Sequence, residues 1–169
     1  MKNSNRPSTE SDKTSILSAI ASSKGGPLLI AIGNDLRGDD GLGWALLEKL
    51  EQENPFTAET AYRYQLQVED AGLIAGFDAV VFIDASKEPA EEGYVLAPCL
   101  PAAAFEFTTH MLNPGSVLYL CRELYGRSPK AFTLGISGAF WGLKRGLSKT
   151  AQGNLETAYN GLRQALNSI

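Results

Sequence analysis

Cysteine is scarce in this 169-residue sequence: Cys99 and Cys121 stand alone, without C-x-x-C spacing. That excludes a cysteine-rich zinc module and fits a reducing compartment, and both thiols read as ordinary half-buried side chains. No run of lysine and arginine occurs, and the formal charge is −4 with a pI near 5.0. A phosphate-binding surface needs a basic footprint, so no nucleic-acid partner is expected, and the acidic balance argues equally against an acidic partner surface. No apolar run reaches the ~18 residues of a membrane span. Ile16 to Ala21 is too short and too interrupted by serine for a signal-peptide core, so the expectation is a cytoplasmic protein with no membrane partner. No internal repeat is visible.

With 44% hydrophobic and 20% charged residues the chain can bury a substantial core without staples, as one domain. Residues 1 to 12 are rich in Ser, Asn, Lys and Glu and offer little apolar surface to offset the entropy of ordering. Residues 1–26 are therefore expected to be a disordered or loosely attached N-terminal extension, and residues 27–169 a single α/β domain.

From Pro27 onward, strand and helix patterns alternate. Leu28 to Ile32 is a continuous apolar strand, and Gly43 to Glu53 is a helix with Trp44, Leu47 and Leu50 on one face. Ala61 to Val68 reads as a more exposed second strand, and Ala71 to Ala75 as a short helix. Ala79 to Asp84 is a buried strand ending in a carboxylate, and Gly93 to Ala97 a short strand suited to an antiparallel edge. Pro114 opens a helix that runs to about Leu124 and stops at Gly126, since proline is tolerated in a first turn. Ala131 to Ile136 is the last core strand, Ser137 to Leu147 a glycine-punctuated loop, and Ser148 the cap of a C-terminal helix. The pattern predicts a three-layer α/β domain around a mostly parallel sheet.

The most informative stretch is Gly33-Asn34-Asp35-Leu36-Arg37-Gly38-Asp39-Asp40-Gly41-Leu42-Gly43-Trp44. It places two adjacent carboxylates on a glycine-hinged loop at the carboxyl end of a buried strand, where open α/β sheets keep their ligands. A phosphate-cradling loop presents backbone N–H groups and avoids carboxylates, so this loop is better suited to a cation. The glycines do not fit G-x-G-x-x-G, which argues against a dinucleotide site.

Asp84 ends another strand, and His110, the single histidine, precedes the Pro114 helix. Their connections leave the same sheet edge as Asp39 and Asp40. Two carboxylates and an imidazole can bind a borderline divalent cation and leave coordination positions open. Taken singly, each has a plainer reading: a strand-ending aspartate is often a turn former, and a lone histidine is more often structural than a ligand. The adjacent pair Asp39 and Asp40 is harder to dismiss, because neighbouring like charges cost stability unless solvated or paired. Asp84, His110 and Ser137 also supply the residue types of a serine hydrolase. Against that, Gly135-Ile136-Ser137-Gly138 is not a G-x-S-x-G elbow.

With these residues in view, the sequence resembles the nickel-iron hydrogenase maturation endopeptidases over about residues 27 to 165. The likeness is carried by Gly33-Asn34 with Asp39-Asp40-Gly41-Leu42-Gly43, and by Val81-Phe82-Ile83-Asp84-Ala85. It continues in His110 followed by Pro114, in Leu124-Tyr125-Gly126-Arg127-Ser128-Pro129, and in Gly146-Leu147-Ser148. The resemblance implies a peptidase-like domain over residues 27–169, with a five-stranded sheet flanked by helices. It implies three metal-contacting, catalytic side chains at Asp40, Asp84 and His110, and a hydrogenase large-subunit precursor as partner, whose C-terminal extension is removed after nickel insertion. Nickel would be carried by the substrate, and zinc or cadmium could substitute. A nickel-sensing or chaperone module that cuts nothing is the alternative. Departures from the family pattern are Asp40 where glutamate is common, and Glu69-Asp70-Ala71 in place of a Gly/Thr-rich turn. Phe140 and Trp141 read first as buried aromatics, and second as contacts for the precursor.

Overall fold

The computed structural model of the chain describes residues 10–53, 57–104 and 112–167. Among the described residues the elements run α1 Glu10–Ala21, β1 Leu28–Ile32, α2 Leu42–Glu53, β2 Glu59–Arg63, α3 Asp70–Ile74, β3 Ala79–Ser86, β4 Tyr94–Cys99, α4 Pro114–Tyr125, β5 Lys130–Ser137 and α5 Lys149–Leu166. One sheet in the order β2-β1-β3-β5-β4 joins all five strands. β1 pairs in parallel with β2 and β3, and β3 with β5. β4 runs antiparallel to β5, making the sheet mixed. The seven residues between β3 and β4 are too few for a crossover helix, so the chain must reverse direction there.

Alternation along the central strands feeds two cores. Leu29, Ala31, Val81, Ile83, Leu134 and Ile136 face one side, where they meet α1, α2 and α5. Leu28, Ile30, Val80, Phe82 and Ala131 face the other, which Val117, Leu118 and Cys121 of α4 and Ala71 and Ile74 of α3 cover. Central strands buried on both faces read as unbroken apolar runs, which is why β1 and β3 were legible. Ser148 caps α5, its hydroxyl accepting the Ala151 N–H at 3.1 Å, as the sequence suggests. Asn113 caps α4 in the same way through Ser116 N–H, with Pro114 in the first turn.

Three expectations need correction. The N-terminal extension is not loosely attached over its described part: residues 10–21 form α1, and Ile16 and Ile20 are buried in the core against α5 and the sheet. Their spacing of four puts both on one face, and Lys13, which pairs with Glu92 and lies 5.1 Å from the Tyr94 ring, ties the helix to the β4 edge. The second strand is shorter and earlier than Ala61 to Val68. It ends at Arg63, and the chain turns around Asp70, whose carboxylate accepts the Gln67 N–H and the Arg63 Nε–H at 2.9 and 2.8 Å. Cys121 is fully buried rather than half-buried, while Cys99 is half-buried as expected, with its thiol pushed up to about 11 by desolvation. No helix among the described residues is long and apolar enough to cross a membrane.

Candidate active site

The strand order reverses at β1, which sends the chain to β2 on one side and has β3 on the other. A crevice at such a switch point, beyond the carboxyl ends of the strands, is where this kind of sheet binds ligands. The Gly33 to Gly41 segment crosses it. Gly33 has φ of 146°, and a Cβ there would lie 2.0 Å from the Asp40 carbonyl oxygen, so only glycine lets the loop fold back on itself. The loop closes through Asn34 N–H to the Asp40 carbonyl at 3.1 Å and Asp40 N–H to the Arg37 carbonyl at 3.2 Å. Gly43, in the first turn of α2, packs where a Cβ would sit 2.7 Å from the Ile83 carbonyl and 2.8 Å from that of Ile32. The helix start is thus seated on the ends of β1 and β3, and Asp40 lies in the single turn of 3₁₀ helix, Gly38–Gly41, that leads into it.

The two adjacent aspartates have opposite surroundings. Asp39 is fully buried. Its Oδ2 accepts the N–H groups of Ala139 and Phe140 at 2.6 and 2.8 Å and the Ser148 hydroxyl at 2.7 Å, and its Oδ1 accepts the Ser148 N–H at 2.7 Å. Burial alone would raise its pKa, but these four donors outweigh it and hold the carboxyl below its ordinary value. Asp39 is therefore a structural anchor, tying the loop after β1 to the segment between β5 and α5.

Asp40 is only half-buried and is free of that network. Asp84, also half-buried, lies one residue beyond the last β1–β3 pair, Ala31 with Ile83, opposite Gly135 of β5. Its pKa is pushed up to about 6, chiefly by burial, against the lowering effect of the Ala85 N–H on Oδ1 at 2.8 Å, and further by the negative charge of Asp40. The negative charge of Asp40 is thus felt at Asp84, beyond the last β1–β3 pair. Asp84 is not the last residue of its strand, since β3 continues to Ser86.

His110 lies outside the described residues. The chain resumes at Leu112, which bridges to Leu66 just past the end of β2, and Ala102 N–H to the Gly115 carbonyl at 2.9 Å ties the preceding segment to the start of α4. Among the described residues no three His, Cys, Asp or Glu side chains form a metal-holding group. Of the expected donor set, Asp40 and Asp84 lie among the described residues, and the negative charge of Asp40 is felt at Asp84.

Ser137 is buried, and its hydroxyl donates to the Glu88 carbonyl at 2.8 Å. A nucleophilic serine needs that proton directed at a base, so the serine-hydrolase reading loses its nucleophile. Phe140 is exposed rather than buried, and the half-buried Trp141 carries the Lys87 ammonium 5.4 Å from its ring. The anchoring role of Asp39 was missed by sequence reasoning. The available signal was the glycine-punctuated segment ending in the capping Ser148, but nothing local connects it to a residue 109 positions earlier.

No protein-family model matches the sequence, and no curated protein does. Solved structures match over most of the chain, and they define a class: hydrogenase maturation endopeptidases, which are hydrolases. The chain resembles them throughout its α/β domain. In particular, the hydrogenase maturating endopeptidase HybD of Escherichia coli is 26% identical, with 83% of this chain and 91% of that one covered at a TM-score of 0.66. An Escherichia coli endopeptidase solved in solution is 25% identical at the same coverages and a TM-score of 0.67. The [NiFe] hydrogenase maturation protease HycI of Thermococcus kodakarensis shares the fold, with 24% identity, 90% and 97% coverage and a TM-score of 0.67.

Proposed function

We propose that this chain is an endopeptidase that removes the C-terminal extension of a hydrogenase large-subunit precursor, in the cytoplasm, with nickel in the precursor as the recognition signal. The observation that carries the reading is the convergence of Asp40 and Asp84 at the switch point of a sheet shared with hydrogenase maturation endopeptidases. Asp40, Asp84 and His110 gather around the metal of the substrate and so fix the scissile bond against the strand ends. Positioning of this kind contributes several kcal/mol to lowering a barrier without covalent chemistry. A cation held by Asp40, Asp84 and His110 would supply Lewis-acid polarisation of a carbonyl placed beside it. Burial and the nearby charge of Asp40 make Asp84 a poor host for a negative charge, and an arriving cation would relieve that penalty. Zinc or cadmium can take the place of nickel in such a donor set.

The test is incubation with a nickel-loaded large-subunit precursor, read as a mobility shift on a gel. Shortening by the natural chain and its loss in Asp84→Asn and His110→Ala are expected. Stable binding without shortening would instead favour a nickel-sensing or chaperone module.

A further inference from the structure

The chain is acidic overall, yet cations and apolar side chains collect on one rim of the crevice. Gly38 N–H donates to the Lys144 carbonyl at 2.7 Å, Asp39 N–H donates to the Phe140 carbonyl at 2.8 Å, and the Phe140 ring lies against Gly38. These contacts lay the 140–145 segment beside Leu36 and Arg37. Arg145 reaches Asp35 at 3.2 Å, which closes the far end of the strip. The backbone here is clamped twice over, by those pairings and by the four bonds to Asp39. The side chains are nevertheless outside: Leu143 is 87% exposed, Leu36 49% and Phe140 43%.

We infer that the strip of Leu36, Arg37, Phe140, Leu143, Lys144 and Arg145 is the docking surface for the precursor, and that it takes an extended segment carrying acidic side chains between apolar ones. The inference rests on the endopeptidase reading above. Exposed large apolar side chains on a rigid backbone lose little entropy on binding, which is the make-up of an interface anchor rather than of an idle loop. The strip carries three exposed cations, Arg37, Lys144 and Arg145, against one acid, Asp35, which is already paired with Arg145. In a molecule with 19 acidic and 15 basic residues, that local excess opposes the overall charge and selects a negative partner. Composition disfavours an acidic partner surface on average, and the proposed strip is a local exception to that average, because net charge sums over a surface whose sign changes at this rim. Arg37 lies three residues from Asp40 and its carbonyl accepts the Asp40 N–H, so a segment held on the strip runs directly into the crevice.

The experiment uses the full chain with a labelled, nickel-loaded large-subunit precursor, reading binding by anisotropy and cleavage by single- and multiple-turnover kinetics. The variants are Arg37→Glu with Lys144→Glu, and separately Leu143→Ser, each confirmed folded by thermal melting. Both variants should raise Kd and KM by about tenfold or more while kcat stays within about twofold, and the salt dependence of binding should flatten in the charge variant. Unchanged Kd in both variants, or a change in kcat alone, overturns the docking surface. So does a wild-type dimer in sedimentation that Leu143→Ser dissociates, which would make the strip a contact between copies. Binding to phosphatidylglycerol vesicles that the charge variant abolishes would assign the strip to a lipid surface instead. Precursor binding that depends on the strip but leads to no cleavage leaves the inference standing and overturns the endopeptidase reading.

Discussion

Asp39 and Asp40 share a peptide bond and differ in almost everything that decides a carboxylate's role. The first is sealed in the junction of two loops with four donors aimed at its oxygens and a lowered pKa. The second sits half-buried over the strand ends, close enough to Asp84 to help hold a proton there. One region has its charge fully compensated by the fold, and the other leaves charge uncompensated. Compensated charge stabilises a protein, whereas uncompensated charge costs stability and is kept where something else must supply the balance. On the proposed reading, the contrast separates scaffold from site within a single dipeptide.

The comparison can be broken most directly at Asp39. Asp39→Ala strands the N–H groups of Ala139, Phe140 and Ser148 together with the Ser148 hydroxyl, and should destabilise the chain by about 3 kcal/mol or more, read from denaturant melting. The pH dependence has a definite sign. Because its folded pKa lies below the ordinary value of 3.8, the contribution of Asp39 is present above that value and disappears as pH falls through the lowered one. Wild-type stability should therefore drop steeply below about pH 4, and the drop should be shallower in Asp39→Ala.

Asp84→Asn should move stability the other way. With its carboxyl raised to about 6, the stability that Asp84 contributes is present below the unfolded value and lost as pH rises through about 6. At neutral pH without metal, the asparagine variant should be more stable than the natural chain by on the order of 1–2 kcal/mol, a gain that vanishes near pH 4. A destabilised variant at pH 7 would mean that Asp84 belongs to the scaffold.

The smallest effect is expected at Ser137. Ser137→Ala removes one hydrogen bond to the Glu88 carbonyl, worth about 1 kcal/mol in melting, and should leave cleavage of the precursor nearly intact. Abolished cleavage with an unchanged melting curve would revive the serine-hydrolase reading.

The same contrast explains what the sequence could reveal. β1 and β3 were legible because strands buried on both faces write themselves as unbroken apolar runs, and Ser148 because a cap is a local signal. Asp40 and Asp84 were legible as a pair only through the topology, which places the exits of adjacent parallel strands together. Asp39 was not, because its partners come from residues 139, 140 and 148 and are brought to it by folding alone. α1 was missed for a related reason. Ile16 and Ile20 stand out little from the serines and lysines around them, and only contact with α5 and the sheet gives their spacing meaning. The end of β2 was set too late because the turn after Arg63 is built around Asp70, whose side chain replaces the ladder.

The division between the two aspartates is tested most directly by Asp40→Asn, with melting and single-turnover cleavage of the nickel-loaded precursor measured on the same sample. A melting temperature at or above that of the natural chain, with cleavage slowed by about a hundredfold or more, is the predicted result. Cleavage near the natural rate, or a loss of stability like that expected of Asp39→Ala, would contradict it.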